Sequence, residues 1–347
     1  MSLPEAASVV VIGGGVMGCS VLYHLAKMGV KDVVLLERKQ LTCGTTWHSA
    51  AQVRQLRSSN NMTELIKYST ELYAGLEAET GQSTGWIKTG SLVLATNEDR
   101  FTFIKRQASL AKLFNVETHI IDQSEAAEMW PMMNADDVVG AIYSPDDGRV
   151  NPSDLCVALI KGAKANGARV FEDSEVTGFD IENGRVAAVR TEHGDIKCEK
   201  VVNCAGLWGR RIGEMAGVTV PLYACEHFYL LTKAIKGMGA HLPTLADHDN
   251  YLYMRDEVGG LLAGCFEPNA KGIALDKLPH DFAFDLLNED WDHFEPMMIN
   301  ALHRIPALET AEVRMLLNGP ESFTPDGNFL IGEAPEVGGF FVGCGMN

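Results

Sequence analysis

Residues 8–48 constrain this chain more than any other stretch. Val9-Val10-Val11-Ile12 is an apolar run, β-branched throughout and too short for a helix, as a buried strand requires. Gly13-x-Gly15-x-x-Gly18 follows, and Val21, Leu22, Leu25 and Met28 then recur at helical spacing. A second apolar run, 32–36, ends in Glu37, about twenty residues beyond the glycines. Strand, glycine turn, helix, strand and acid together predict a dinucleotide-binding unit. Gly13 permits the tight turn, Gly15 the approach of a pyrophosphate, and Gly18 close packing of the helix on the sheet. The helix N-terminus offers free N–H groups to phosphate, and Glu37 can accept hydrogen bonds from ribose hydroxyls. An acid at position 37 disfavours a ribose phosphate, which leaves NAD or FAD. The neighbouring Met17 and Arg38 belong to the same predicted cofactor-binding set.

The rest of the chain predicts a mixed α/β protein of about two domains, since 347 residues exceed one typical core. A net charge of −17 and a pI near 5.0 argue against nucleic acid or an anionic membrane as partner. No apolar stretch approaches the ~20 residues of a membrane span. The opening MSLPEAAS is neither a signal peptide nor an Arg-rich transit peptide. A cytoplasmic protein is expected, or a mitochondrial-matrix one if a transit peptide has been removed. Eight scattered cysteines without a CxxC pair read as reduced thiols, and no metal site is expected, Cys225-Glu226-His227 being the nearest approach to one.

Helical spacing marks 62–76, 98–114, 123–130, 153–166, 207–215 and 289–302. Strands are expected at 91–95, 116–121, 170–171, 200–204, 328–331 and 340–343, with a hairpin, 176–181 and 185–191, around Asn183-Gly184. From Pro221 onward, runs at 228–232, 251–255 and 261–265 suggest a predominantly antiparallel sheet, and Asp247-His248-Asp249 a solvated turn. The predicted architecture is a Rossmann-like FAD-binding domain from 1–90, 144–220 and 318–347. A substrate domain from 91–143 and 221–317 is built on the antiparallel sheet. Asn203-Cys204-Ala205-Gly206 and Gly343-x-Gly345 supply further small-residue turns that could approach a cofactor. Contacts from segments so far apart suit a long FAD better than NAD. The last residues, 343–347, read as a glycine turn cut in mid-motif, as in a piece of a longer chain.

Four motifs, Thr45-Thr46-Trp47-His48, Asn203-Cys204-Ala205-Gly206, Gly319-Pro320-Glu321-Ser322-Phe323-Thr324-Pro325-Asp326 and Gly332-Glu333-Ala334-Pro335-Glu336, resemble the sarcosine dehydrogenase and dimethylglycine dehydrogenase family. The resemblance spans essentially the whole chain. It implies a D-amino-acid-oxidase-type fold and FAD bound covalently through His48. The implied reaction is oxidative N-demethylation of sarcosine or dimethylglycine, with hydride transfer to flavin N5. Electrons would pass to an electron-transfer flavoprotein or to oxygen, and the one-carbon unit to tetrahydrofolate on a domain absent from this sequence. His227 and Tyr253 match the family's active-site pair. Arg57 is the first candidate for the substrate carboxylate, with Arg54 and Arg255 as alternatives. Thr45, Thr46, Trp47, His48, Gln52, Val176, Ala205, Gly206, Gly343, Gly345 and Met346 complete the predicted cofactor set. Two other readings remain: an oxygen-using amine or amino-acid oxidase of the same fold, and a non-catalytic relative of the pyruvate dehydrogenase phosphatase regulatory subunit, which lacks the Trp-His pair. One departure stands out, Ala50-Ala51 where relatives usually have Ala-Gly.

Overall fold

Ala6–Ile12 lies inside an eight-stranded sheet, paired in parallel with Val33–Leu36 on one side and Gly194–Asn203 on the other. Val10 and Val11 are wholly buried, and strand alternation sends them to opposite faces. Val10 packs among Val201, Phe179 and Phe340, while Val11 packs among Leu22, Leu155 and Leu159 on helices Val16–Lys27 and Pro152–Ala165. Each such side chain stabilises the fold by roughly 1.5–3 kcal/mol relative to exposure. The two helices meet closely because Gly162 has no Cβ. One there would come 2.6 Å from the Tyr23 ring. The computed structural model describes residues 2–346.

The sheet continues outward through Arg169–Phe171 at one edge, and through Phe340–Cys344 and Leu330–Glu333 at the other. Gly194–Asn203 is longer than the 200–204 read from the sequence. Its first half alternates charged residues with buried Ile196 and Cys198, a half-buried pattern that no apolar run reveals. That half pairs with the predicted hairpin, whose Asn183 and Gly184 take φ values of 51° and 74° as a type I′ turn demands.

The second sheet has nine strands. Tyr223–Thr232 pairs along its length with Val313–Phe323, and on its other side with Gly260–Cys265. Leu252–Glu257, Thr244–Asp247, Ser91–Ala95, Gly140–Ser144 and His119–Ile121 follow in order. Its pairing is antiparallel as expected, except where Thr244–Asp247 runs parallel to Ser91–Ala95. Because Val313–Phe323 is one continuous strand of this sheet, residues 318–323 belong here, and the expected change of domain at 318 falls inside a strand. Helix Trp291–Arg304 closes the core through Phe294, Met297 and Ala301.

Asp247 is not in a solvated turn. It is 1% exposed at the end of its strand, and Arg304 Nε, on a fully buried side chain, donates to it at 2.9 Å. Arg304 also pairs with Asp137 at 2.8 Å. A buried carboxylate needs such a partner, and this partner lies 57 residues along the chain. His248 is exposed, whereas Asp249 binds Arg100 Nε at 2.9 Å.

Candidate active site

A cleft of about 380 Å³ runs between the two sheets, from the Gly13 turn to His227. At its first end the backbone does the shaping. Gly13 has φ +107°, and a Cβ there would lie 2.4 Å from the Cys204 carbonyl oxygen. A Cβ on Gly18 would lie 1.9 Å from the Gly13 carbonyl oxygen, so the helix approaches the turn as the motif requires. Glu37, 7% exposed, ends its strand against this turn. Its Oε2 accepts from Gly14 N–H at 2.7 Å, and Oε1 from Lys39 N–H at 2.9 Å. The acid thus tightens the glycine loop as well as facing the cleft. Arg38 stacks on Trp208 at 3.9 Å and donates to the carbonyls of His280 and Phe282, which ties the first sheet to a loop of the second unit.

The 3-10 turn Thr45–His48 sits where the two halves meet. Thr46 Oγ1 accepts from Val16 N–H at 3.0 Å, and Thr45 Oγ1 donates to the Pro320 carbonyl at 3.2 Å. One residue back in the same strand, Gly319 leaves room for the His48 ring. A Cβ there would come within 2.5 Å of it. His48 is 7% exposed, and burial, with the nearby His227, pulls its pKa down to about 4. Its imidazole is therefore neutral at physiological pH.

The far end is built from side chains at strand centres. His227 Nε2 lies 3.0 Å from the Tyr253 hydroxyl. Tyr253 fits because Gly264 faces it across the ladder, where a Cβ would overlap its ring at 2.0 Å. Burial opposes a charge on His227, but Glu267 and Glu321 outweigh it and raise the pKa. Glu267 Oε2 is 3.7 Å from Nδ1 and Glu321 Oε2 is 3.9 Å from Nε2. Burial pushes the Glu321 carboxyl up, and the charge of Glu267 adds to that, with His227 acting in the other direction.

Of the sequence-predicted residues, Gly13, Gly15, Met17, Glu37, Arg38, Thr45, Thr46, His48, Gln52, Arg57, Val176, Ala205, Gly206, His227, Tyr253, Gly343, Gly345 and Met346 line this one cleft. Gly18 and Trp47 do not. Gly18 works through packing, and Trp47 stands edge-on to His48 with ring centroids 5.4 Å apart. Arg54 and Arg57 line the cleft and neither forms a salt bridge among the described residues. Burial and the neighbouring Arg57 lower Arg54 to about 10, so it stays charged. Arg255 is committed elsewhere, to Glu257 and to the carbonyls of Ala50 and Asp256. Strand alternation turns Glu226 away from Cys225 and His227, and its carboxylate accepts from Asn318. Glu267 and Glu321 were not singled out from the sequence. Glu321 stood inside a quoted motif, but its approach to His227 depends on pairing with a strand about ninety residues away.

The family model described as FAD dependent oxidoreductase (DAO) matches residues 8–347. The chain belongs to this family. It is 45% identical to mouse mitochondrial sarcosine dehydrogenase over 99% of its length, covering 38% of that protein. It is also 42% identical to the mouse mitochondrial pyruvate dehydrogenase phosphatase regulatory subunit, over 100% of this chain and 40% of that one. The chain thus spans about two-fifths of the length of these curated relatives. Among solved structures it resembles L-proline dehydrogenase from P. horikoshii, with TM-score 0.88 and 28% identity over 99% of this chain and 88% of that one. The crowded glycine seats at 13 and 18, the open cleft beyond them and Glu37 at its edge fit the FAD of this family. No helix among the described residues is long and apolar enough to cross a membrane.

Proposed function

We propose that this chain is the flavin-bearing part of an enzyme that oxidises the N-methyl group of a methylated glycine, sarcosine or dimethylglycine. The observation that carries this reading is the setting of His48, seated on Gly319 in the same cleft as the His227–Tyr253 pair. Glu37 and Arg38 would hold the adenosine end of FAD, Gly13 to Met17 and Val176 the phosphates, and Thr45 to Gln52 with Gly343 to Met346 the ring. When bound, FAD supplies the acceptor for the hydride taken from the carbon beside nitrogen.

The chain's own residues do the rest. Arg57, with Arg54 beside it, offers guanidinium donors to a substrate carboxylate. Tyr253 and His227 meet the amine end and orient it through the phenol hydroxyl. The neutral His48 imidazole is a competent nucleophile, which supports its assignment as the covalent attachment point. Electrons would leave to an electron-transfer flavoprotein or oxygen. The one-carbon unit would pass to tetrahydrofolate where a further domain is present, or depart as formaldehyde.

The likeness to a phosphatase regulatory subunit favours a second reading, a non-catalytic flavoprotein-like regulator. One experiment separates the two. Flavin-loaded protein is mixed anaerobically with a panel of N-methylated amino acids, and bleaching of the oxidised flavin band is recorded. Bleaching by sarcosine or dimethylglycine is expected, and its absence across the panel leaves the regulator. Acid precipitation followed by mass spectrometry of the His48 peptide tests the linkage, since a colourless pellet with an unmodified peptide excludes it.

A further inference from the structure

Two carboxylates flank the His227 ring. Val313–Phe323 presents Gly319 and Glu321 on one face, opposite His227 and Cys225 of Tyr223–Thr232. Gly319 makes room for His48, and Glu321 reaches toward His227 from the cleft side. Glu267, two residues beyond Gly260–Cys265, approaches the other ring nitrogen and does not line the cleft. Its Oε1 is buried without a hydrogen-bond partner. Neither acid has a Lys or Arg within 4.0 Å among the described residues, so one imidazole faces two carboxylates. The other titratable groups around them are His48, Cys225, Tyr229, Tyr253 and Cys265, none of which supplies a permanent positive charge. Arg54 and Arg57 belong to the same cleft.

This arrangement bears on a chemical requirement. A secondary or tertiary amine enters as an ammonium ion and can surrender a hydride from the adjacent carbon only after losing its proton. Glu267 and Glu321 favour the protonated form of the His227 imidazole, which has no free lone pair with which to take it. On the reading of the cleft as a site of amine oxidation, we propose that Glu321 binds the substrate ammonium and accepts its proton, and that Glu267 is a positioning residue that keeps His227 charged and directed at Tyr253. In this step the N–H bond breaks, its electron pair stays on nitrogen, and the proton forms an O–H bond on Glu321. Nothing is oxidised or reduced. The raised pKa of Glu321 brings it nearer the range in which a carboxylate serves as a base at neutral pH. The recognised class is therefore an N-alkylated amino acid in its zwitterionic form, with its carboxylate toward the arginines and its ammonium toward Glu321.

The test uses flavin-loaded protein with Glu321→Gln, Glu321→Asp and Glu267→Gln. Anaerobic stopped-flow reduction by sarcosine or dimethylglycine is followed against pH. Glu321→Gln should slow reduction at pH 7 by about 10²–10⁴-fold, and its rate should climb with pH as free amine forms in solution. Glu321→Asp should keep the wild-type profile at a lower rate, and it carries the test if the glutamine variant is recovered without flavin. Glu267→Gln should shift the pH profile while retaining flavin. Binding is read from the flavin spectrum with two unreactive probes, trimethylglycine, which carries a fixed cation, and (methylthio)acetate, which carries none. Glu321→Gln should weaken the first about tenfold or more and leave the second within about twofold. Wild-type rates and pH profile in Glu321→Gln, or equal loss of both probes, would overturn the proposal. If no methylated glycine reduces the wild-type flavin, the functional reading fails instead, and the two probes still report on Glu321.

Discussion

The two ends of the cleft are made in opposite ways. At the glycine end the site consists of missing side chains: Gly13 and Gly18 are positions where a single methyl would strike backbone. At the His227 end it consists of side chains, four titratable groups from three strands and a loop, with glycines serving only to seat them. A site of the first kind recognises through N–H groups and shape, which tolerate little substitution and change little with pH. One of the second kind acts through charge and proton position. The contrast predicts that damage at one end empties the cleft, while damage at the other leaves it filled and idle.

The largest effect should come from the side-chain end. His227→Ala and Tyr253→Phe should each lower the rate of flavin reduction by about 10²-fold, the scale of a misplaced substrate, while flavin content stays at the wild-type level. Single-turnover rates together with the absorbance ratio at 450 and 280 nm check both halves of that statement, those wavelengths being about where flavin and protein absorb. A variant that loses flavin as well would break the comparison. At the backbone end, Gly18→Ala forces a Cβ against the Gly13 carbonyl and should cost about 1–3 kcal/mol or more. It should be recovered without flavin and with a lower unfolding midpoint in urea.

Glu37→Ala sharpens the comparison, because Glu37 is a side chain on which the glycine turn itself leans. Loss of hydrogen bonds to a charged group should weaken FAD binding by about 1.5–3 kcal/mol, measured by reconstitution of apo-protein. The same change frees Gly14 N–H, so hydrogen exchange at that amide should accelerate in apo-protein too. The smallest effect belongs to Ala51, which has φ +50°, a conformation that suits the glycine expected there from the resemblance. Left-handed backbone costs an L-residue roughly 1–2 kcal/mol. Glycine's greater freedom when unfolded takes back about 0.4–1 kcal/mol. Ala51→Gly should therefore raise stability by up to about 1.6 kcal/mol, read from urea denaturation, with no loss of flavin.

The same contrast explains what could be read from the chain. The glycine unit is local: strand, turn, helix and acid lie within residues 9–37, and each leaves a mark in composition or spacing. The Asn183-Gly184 hairpin is local in the same sense. Val313–Phe323 escaped because Asn318-Gly319-Pro320 interrupts it with residues that normally mark turns, although the ladder continues through them. Thr244–Asp247 escaped because its acidic end looks solvated until Arg304 is brought to it by the fold. Glu267 and Glu321 escaped for a related reason. Nothing near either one says that the other, or His227, will be its neighbour.

Val313–Phe323 also limits how this protein can diverge. A single strand hands one residue to His48 and, two places on, another to His227. A slip of one residue would turn both positions to the opposite face at once. On the roles proposed for His48 and Glu321, cofactor attachment and amine recognition would be inherited as a linked pair. Redesign aimed at a new amine should leave this strand's register untouched.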